Sequence, residues 1–267
     1  LFRSFYGFTN NKLYKFGRLV FKNLNGFYSY QKVFKYPIYV RRLNKSFDFS
    51  KDLYENRVNP LLRFFHVEDI EPVGWIKLPA KKYVLNVPKT TRCQIDCRIH
   101  YDDIEYVNKN KICKLLVAAF DIECTSKDGS FPNPARKEDE IIQIATTVYR
   151  FGEDDCKLKH IVTLKKCDPI EGAIVESYYS EKDLLIAWVK FLEKLDPDIL
   201  TGYNIWGFDE EYIYERAKTG NGGQIKGYSE LLMRRLSRQK DGKCQFKEKE
   251  LSSSALGNNF LKFFDIE

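Results

Sequence analysis

The pattern of apolar and polar positions is plainest in the second half of the chain. Leu115 to Phe120 is an unbroken apolar run of strand length, and it ends on Asp121, Ile122 and Glu123. Alternate side chains of a strand share a face, so Asp121 and Glu123 point together while Ile122 points back into the core. Ile141 to Tyr149 and Leu158 to Leu164 read as further strands. From Glu181 to Leu195 the residues Leu184, Leu185, Trp188, Phe191, Leu192 and Leu195 recur at three- and four-residue steps, which predicts an amphipathic helix with Ser180 as its N-cap. Ile199 and Leu200 make another strand, Thr201 and Gly202 a turn, and a second helix follows. Three strands able to pair antiparallel, then a helix, then a strand beside the first, predict an α/β (α+β) unit built on a mixed sheet.

The first half is less regular. Lys12 to Val20 carries apolar residues at mixed spacing, Asn23 to Gly26 is a turn signal, and Phe27 to Tyr39 reads as a helix broken before Pro37. Asp48 to Asn56 is polar and could start another helix. Leu61 to Phe65, Trp75 to Leu78, Tyr83 to Val87 and Gln94 to His100 read as short β-rich runs divided by acids, Pro72 and Gly74. A polar, basic link at Asn108 to Lys111 suggests a boundary, with a mixed leading domain over 1–112 and the α/β domain over 113–267. Beyond Gly220 the pattern weakens: Leu231 to Gln239 suggests a short basic helix, and Asp241 to Ser254 a lysine-rich loop or hairpin.

Charge sharpens this division. The 267 residues carry a net charge of +7, but up to Ile112 there are 21 Lys and Arg against 10 Asp and Glu, and the remainder has 23 against 27. The leading part has the electrostatics of a polyanion binder, and the second has acid to spare for a metal. Leu1 to Phe47 holds ten Lys or Arg, fourteen Phe or Tyr and no acid. Such interleaving suits either single-strand binding, with bases on rings and cations on phosphates, or a half-buried amphipathic set of elements. No apolar run reaches the roughly eighteen residues of a membrane span, and the start has no signal-peptide pattern, so a soluble, intracellular protein without a membrane partner is expected. Seven cysteines at irregular spacing suit reduced thiols; Cys93 and Cys97 form a C-x-x-x-C without a second pair, which disfavours zinc. His66, His100 and His160 lie in no nucleophile or ligand pattern.

Two like charges at one strand end are costly without a cation between them, although an isolated pair of this kind is more often just two solvated acids at a surface strand end. A third carboxylate, Asp209, lies in an aromatic stretch beyond the turn at Gly202, flanked by Asn204 and Phe208. Phe120, Asp121, Ile122 and Glu123 resemble the first exonuclease motif of family B DNA polymerases, and Asn204 to Asp209 resembles the second. The text from about Leu61 to Lys218 resembles the delta-type replicative members: Gly74-Trp75, Leu78-Pro79, Lys82-Tyr83, Tyr101 to Ile104, Asp168-Pro169, Gly172-Ala173, and Asp196 to Ile205.

The resemblance implies a ribonuclease H-like exonuclease domain preceded by part of the polymerase N-terminal domain, which helps hold template. It implies proofreading from single-stranded 3′ ends with two Mg²⁺ or Mn²⁺ ions. Asp121 would bridge both ions, Glu123 would hold one and orient water, and Asp209 would bind the second largely through water. Tyr203, Asn204 and Phe208 would sit beside the terminal nucleotide, although Phe208 could equally be a core aromatic. Implied partners are DNA, the remainder of the polymerase chain, a sliding clamp and accessory subunits, in the nucleus or at a viral replication site. The wealth of Lys, Asn, Phe, Tyr and Ile suits an AT-rich genome, as in some large DNA viruses or protists. The family's third motif, Y-x-x-x-D, does not occur in its expected place. Tyr179 and Asp183 have the spacing, but Asp183 opens the predicted helix. The chain is thus expected to stop before that motif, with weak or absent nuclease activity of its own and no polymerase signature. Phe264 to Glu267 repeats the first tetrapeptide without a partner motif, so Asp265 and Glu267 are not taken as catalytic. A noncatalytic DNA-binding or subunit-docking platform is the alternative; a stand-alone exonuclease is disfavoured by the basic leading domain.

Overall fold

The computed structural model describes residues 1–4, 10–223, 236–238, 240, 245–253 and 257–265. Its leading elements are small. β1 (Phe2–Ser4) and β2 (Leu13–Lys15) form an antiparallel ribbon, as do β3 (Ile38–Val40) and β4 (Lys45–Phe47). Between the ribbons, α1 (Leu24–Val33) starts where Asn23 accepts the Gly26 N–H at 2.8 Å. The expected helix over Phe27 to Tyr39 is therefore shifted: the Asn23 cap opens it earlier, and Lys35 and Tyr36 close it with three-residue turns before Pro37. No helix forms over Asp48 to Asn56. Asp48 Oδ1 accepts the Ser50 N–H at 2.9 Å, a local bond that competes with helix formation.

Leu61 to Phe65, expected as strand, is instead the body of α2 (Pro60–Val67). Asn59 caps it through the Leu61 N–H, and Pro60 occupies the first turn, where its missing N–H costs nothing. These start signals outweigh the β preference of the two phenylalanines. β5 (Trp75–Lys77) follows, then β6 (Tyr83–Leu85), which pairs with β7 (Cys97–Ile99); β8 (Glu105–Val107) returns to β5.

A five-stranded sheet carries the second half. β9 (Leu116–Cys124), β10 (Ile141–Arg150) and β11 (Leu158–Leu164) are antiparallel neighbours. β12 (Ile174–Tyr178) adds parallel to β11, and β13 (Ile199–Thr201) adds parallel to β9 after α3 (Glu181–Leu195). The order is β12-β11-β10-β9-β13. β12 was not foreseen, because a short edge strand with two polar residues has no clear alternation. α3 keeps its expected limits, and Ser180 Oγ accepts the Asp183 N–H at 3.1 Å.

The core lies between this sheet and α3, joined by α4 (Asp209–Gly223). Phe120 of β9 meets Trp188 of α3 with ring centroids 5.0 Å apart, and the Trp188 indole donates to Thr146 Oγ1 at 3.1 Å. β14 (Gln245–Ser253) and β15 (Gly257–Asp265) form a hairpin that meets α4 through stacked Tyr214 and Phe246 rings, 4.4 Å apart. The stretch expected as loop or hairpin thus contains a hairpin arm. Of the helix expected over Leu231 to Gln239, most lies outside the described residues. Asp265 ends β15, whereas Glu267 lies outside them.

Two compact units emerge: Leu1–Lys77 with Ile104–Lys109, and Leu78–Asp103 with Asn110–Glu267. The chain passes into the second unit for good close to the basic link, but the β6–β7 segment already belongs there, so neither unit is one run of sequence. Backbone bonds join Arg92 to Arg238 and Lys240 to Thr90, at 2.7 and 2.8 Å. Among the described residues, no helix is long and apolar enough to cross a membrane.

Candidate active site

β9 delivers its acids as alternation requires: Asp121 and Glu123 are exposed, and Ile122 between them is buried. Opposite this end the β9–β10 register shifts between Ile141 and Gln143, an irregularity of the kind that re-aims side chains at a sheet edge.

β13 runs beside β9 and then turns sharply. A Cβ on Gly202 would collide with the Phe120 carbonyl and the Ile205 side chain, so the turn approaches β9 just before Asp121 only with glycine there. Asn204 takes the left-handed conformation (φ 52), which asparagine tolerates better than most residues. Its carbonyl accepts the Gly207 N–H at 2.9 Å, while a Cβ on Gly207 would sit 2.6 Å from Asn204 Oδ1. Buried Ile205 pins the turn to the core, and Tyr203 projects from it, 92% exposed.

The turn ends by starting α4 on Asp209. This side chain is buried, and its Oδ1 accepts the backbone N–H of Ile122 at 3.0 Å, across 87 residues of sequence. The carboxylate thus sits against the peptide between Asp121 and Glu123. Burial pushes its pKa up, the Ile122 N–H opposes that shift, and the charges of Asp121 and then Glu123 add to it. The α4 N-terminus is a favourable place for negative charge. Next to it, buried Glu210 accepts the Phe264 N–H at 2.6 Å, and burial pushes its pKa up to about 7. Asp183, which has the spacing of a third-motif aspartate after Tyr179, accepts the Ser180 hydroxyl at 2.6 Å and belongs to the α3 cap.

Phe208 is half-buried and has two roles at once. It leans on Tyr212 at 5.1 Å, part of the core, and meets the ring of Phe131 edge-on at 5.1 Å. Phe131 was not singled out from sequence. It lies in the polar β9–β10 connection, 74% exposed, and its signal there is a lone aromatic between Gly129 and two prolines.

Residues 51–257 match the family model described as DNA polymerase family B, exonuclease domain. The chain belongs to this family. A DNA polymerase of Acanthamoeba polyphaga mimivirus is 37% identical over 215 residues, covering 80% of this chain and 12% of the relative. The DNA polymerase delta catalytic subunit of Bos taurus is 42% identical over 171 residues, covering 62% and 15%. A DNA polymerase of Pyramimonas orientalis virus is 25% identical over 395 aligned positions, covering 99% of this chain and 32% of the relative. This exonuclease-domain chain therefore spans from 12% to 32% of the length of these relatives.

Family B exonuclease domains are generally dependent on divalent metal. Asp121, Glu123 and Asp209 are all oxygen donors, the chemistry that Mg²⁺ and Mn²⁺ prefer, and their mutual repulsion favours a cation. Among the described residues no three such side chains already converge on one ion position. Asp209 is fixed by its bond to Ile122, whereas the side chains of Asp121 and Glu123 are exposed. In donor chemistry the three carboxylates fit such an ion.

Proposed function

We propose that this exonuclease domain is the proofreading part of a delta-like replicative DNA polymerase, removing nucleotides from single-stranded 3′ ends. The observation that carries this reading is the Ile122–Asp209 hydrogen bond, which joins the two stretches resembling exonuclease motifs at one point. The sheet order, with three antiparallel strands flanked by two parallel ones, supports a ribonuclease H-like fold. Residues 1–112 are read as part of the polymerase N-terminal domain and 113–267 as part of the exonuclease domain.

In the reaction, water attacks the last phosphodiester, the P–O3′ bond breaks, and the products are a nucleoside 5′-monophosphate and a strand shortened by one. Asp121, Glu123 and Asp209 would hold two divalent ions, which supply a more acidic water and neutralise charge on the leaving 3′ oxygen. Glu123 orients the attacking water. Phe208 and Phe131 take the terminal base against their rings, and Asn204 and Tyr203 contact the same nucleotide. Template DNA, the rest of the polymerase, a sliding clamp and accessory subunits are the partners, in the nucleus or at a cytoplasmic viral replication site.

The test is shortening of a 5′-labelled single-stranded oligonucleotide in Mg²⁺ or Mn²⁺ by this chain and by a longer polymerase segment, each with an Asp121→Ala control. Loss of one nucleotide at a time from the 3′ end, abolished by the substitution, is expected of the longer segment. A longer segment that binds the strand without shortening it would overturn the reading in favour of a noncatalytic DNA-binding or subunit-docking platform.

A further inference from the structure

The second unit contains a buried ion pair that the chemistry above does not use. Arg216 and Glu181 are both almost fully buried, with Arg216 Nε on Glu181 Oε1 at 2.7 Å and Nη2 on Oε2 at 2.5 Å. Glu181 opens α3 and also accepts the Ile141 N–H at 2.9 Å. Arg216 lies seven residues after Asp209 on α4, so both leave the helix on the same side. Removing two charges from water costs more than the pair regains unless the remaining donors are used.

Those donors go to one place. Nη1 donates to the carbonyls of Pro134 and Arg136 at 3.2 and 2.6 Å, and Nη2 to that of Lys137 at 3.4 Å. All three lie in the β9–β10 connection that carries Phe131. A second tie from α4 is the Tyr212 hydroxyl, which donates to the Asp139 carbonyl at 2.8 Å. The Asp139 carboxylate, fully buried, accepts the N–H groups of Lys127 and Asn133 at 3.0 and 2.9 Å and so braces the connection across its width. Those two N–H groups pull its pKa below the usual carboxylate value. The outer turn with Phe131 is thereby held from within by the helix that begins with Asp209 and is preceded by Phe208.

We propose that Arg216, with Glu181, is a positioning residue for the substrate end: it holds the β9–β10 connection so that Phe131 and Phe208 make a two-ring grip on the terminal base. The proposal rests on the exonuclease reading. A purely structural pair would join α3 to α4 and nothing more, and a pair of apolar residues would then replace it without consequence. A lysine at 216 would keep the charge but not the planar fork that reaches a carboxylate and three carbonyls together.

The experiment uses the 267-residue chain as wild type, as Arg216→Lys, as the double variant Glu181→Met with Arg216→Met, and as Phe131→Ala. Two quantities are read: amide hydrogen exchange at Lys127 and Asn133, and quenching of a 2-aminopurine placed at the 3′ end of a single strand, in Ca²⁺ to prevent turnover. Both Arg216 variants are expected to speed exchange at these two amides by about tenfold or more, with amides of β9 unchanged. They should also weaken the quenched complex about tenfold, as Phe131→Ala does without touching α4. The double variant keeps the test alive should Arg216→Lys fold poorly. Unchanged exchange in the double variant, or faster exchange with full quenching, would overturn the proposal while leaving the exonuclease reading intact. A wild-type chain that does not quench the probe would overturn the grip, while the exonuclease reading stands or falls separately on whether the longer segment shortens the labelled strand.

Discussion

The sheet unit and the leading unit draw on similar stocks of apolar residues and use them differently. In the sheet unit, Ile141, Ile144, Val162, Leu184, Leu185, Trp188 and Ile213 are wholly buried around one core. In the leading unit, among the described residues, Ile70 is the one buried side chain. Its aromatics instead touch one another in pairs, as Phe34 with Phe49 and Phe47 with Phe49, while Tyr30, Tyr36 and Tyr39 stay exposed. A five-stranded sheet has a face that a helix can cover; a two-stranded ribbon has none. Apolar content alone therefore does not make a core, and the aromatic and basic leading stretch presents rings and cations at its own surface.

This contrast breaks first at tryptophan. Trp188→Ala should cost about 3–5 kcal/mol, through lost packing and a cavity beside Phe120, whereas Tyr36→Ala in the leading unit should change stability by under about 0.5 kcal/mol. Urea unfolding followed by circular dichroism measures both; equal losses would mean that the leading unit has a core of its own.

Glycines give the next largest difference. Gly202→Ala must push the turn away from Phe120 and withdraw Asp209 from the Ile122 N–H, at about 1–3 kcal/mol. Gly17→Ala in the leading unit meets no atom within 4 Å and should be neutral within about 0.5 kcal/mol. The two melting curves decide it.

What could be read in advance follows the same line. The apolar runs of β9, β10 and β11 and the stripe of α3 announce themselves because one buried face imposes one period along each element. Alternation along β9 put Asp121 and Glu123 on one face in advance, and a family resemblance, not spacing, tied them to the distant Asp209. Phe131 escaped, since its partner Phe208 is far away in sequence and a loop carries no period. Arg216 and Glu181 escaped because each looks like an ordinary charge on a helix surface until the fold buries both. α2 was misjudged where β-preferring side chains hid a capping signal, and β12 where an edge strand buries too little to pattern its residues.

Leu78–Asp103, next to the leading unit in sequence yet part of the other, offers a smaller test. Asp96 accepts the side-chain amide of Asn86 and the N–H groups of Thr90 and Thr91, and the Asn86 bond is the largest cause holding its pKa far below the ordinary 3.8. A lowered folded value gives stability that is present above the unfolded value and lost as pH falls through the folded one. Exchange at Thr90 and Thr91 should therefore stay protected in mildly acid buffer and open only at strongly acid pH. Asp96→Asn should open these amides at every pH, with the gap to wild type closing as pH falls below 3.8. A gap that widened instead would contradict the assignment.

Smallest is a difference between thiols within the sheet unit. Burial pushes the Cys124 thiol up to about 12, and Cys113 is exposed. Iodoacetamide at neutral pH should label Cys113 readily and Cys124 only after denaturant is added, as peptide mass mapping would record.

On the proposed reading, three carboxylates from two distant stretches act as one metal-binding group. Titration of the chain with Mn²⁺, followed by electron paramagnetic resonance in the presence of a single-stranded oligonucleotide, tests it without depending on turnover. Bound Mn²⁺ is expected in the wild type, weakened at least tenfold in each of Asp121→Ala, Glu123→Ala and Asp209→Ala. Mn²⁺ bound equally well by all four proteins would contradict it.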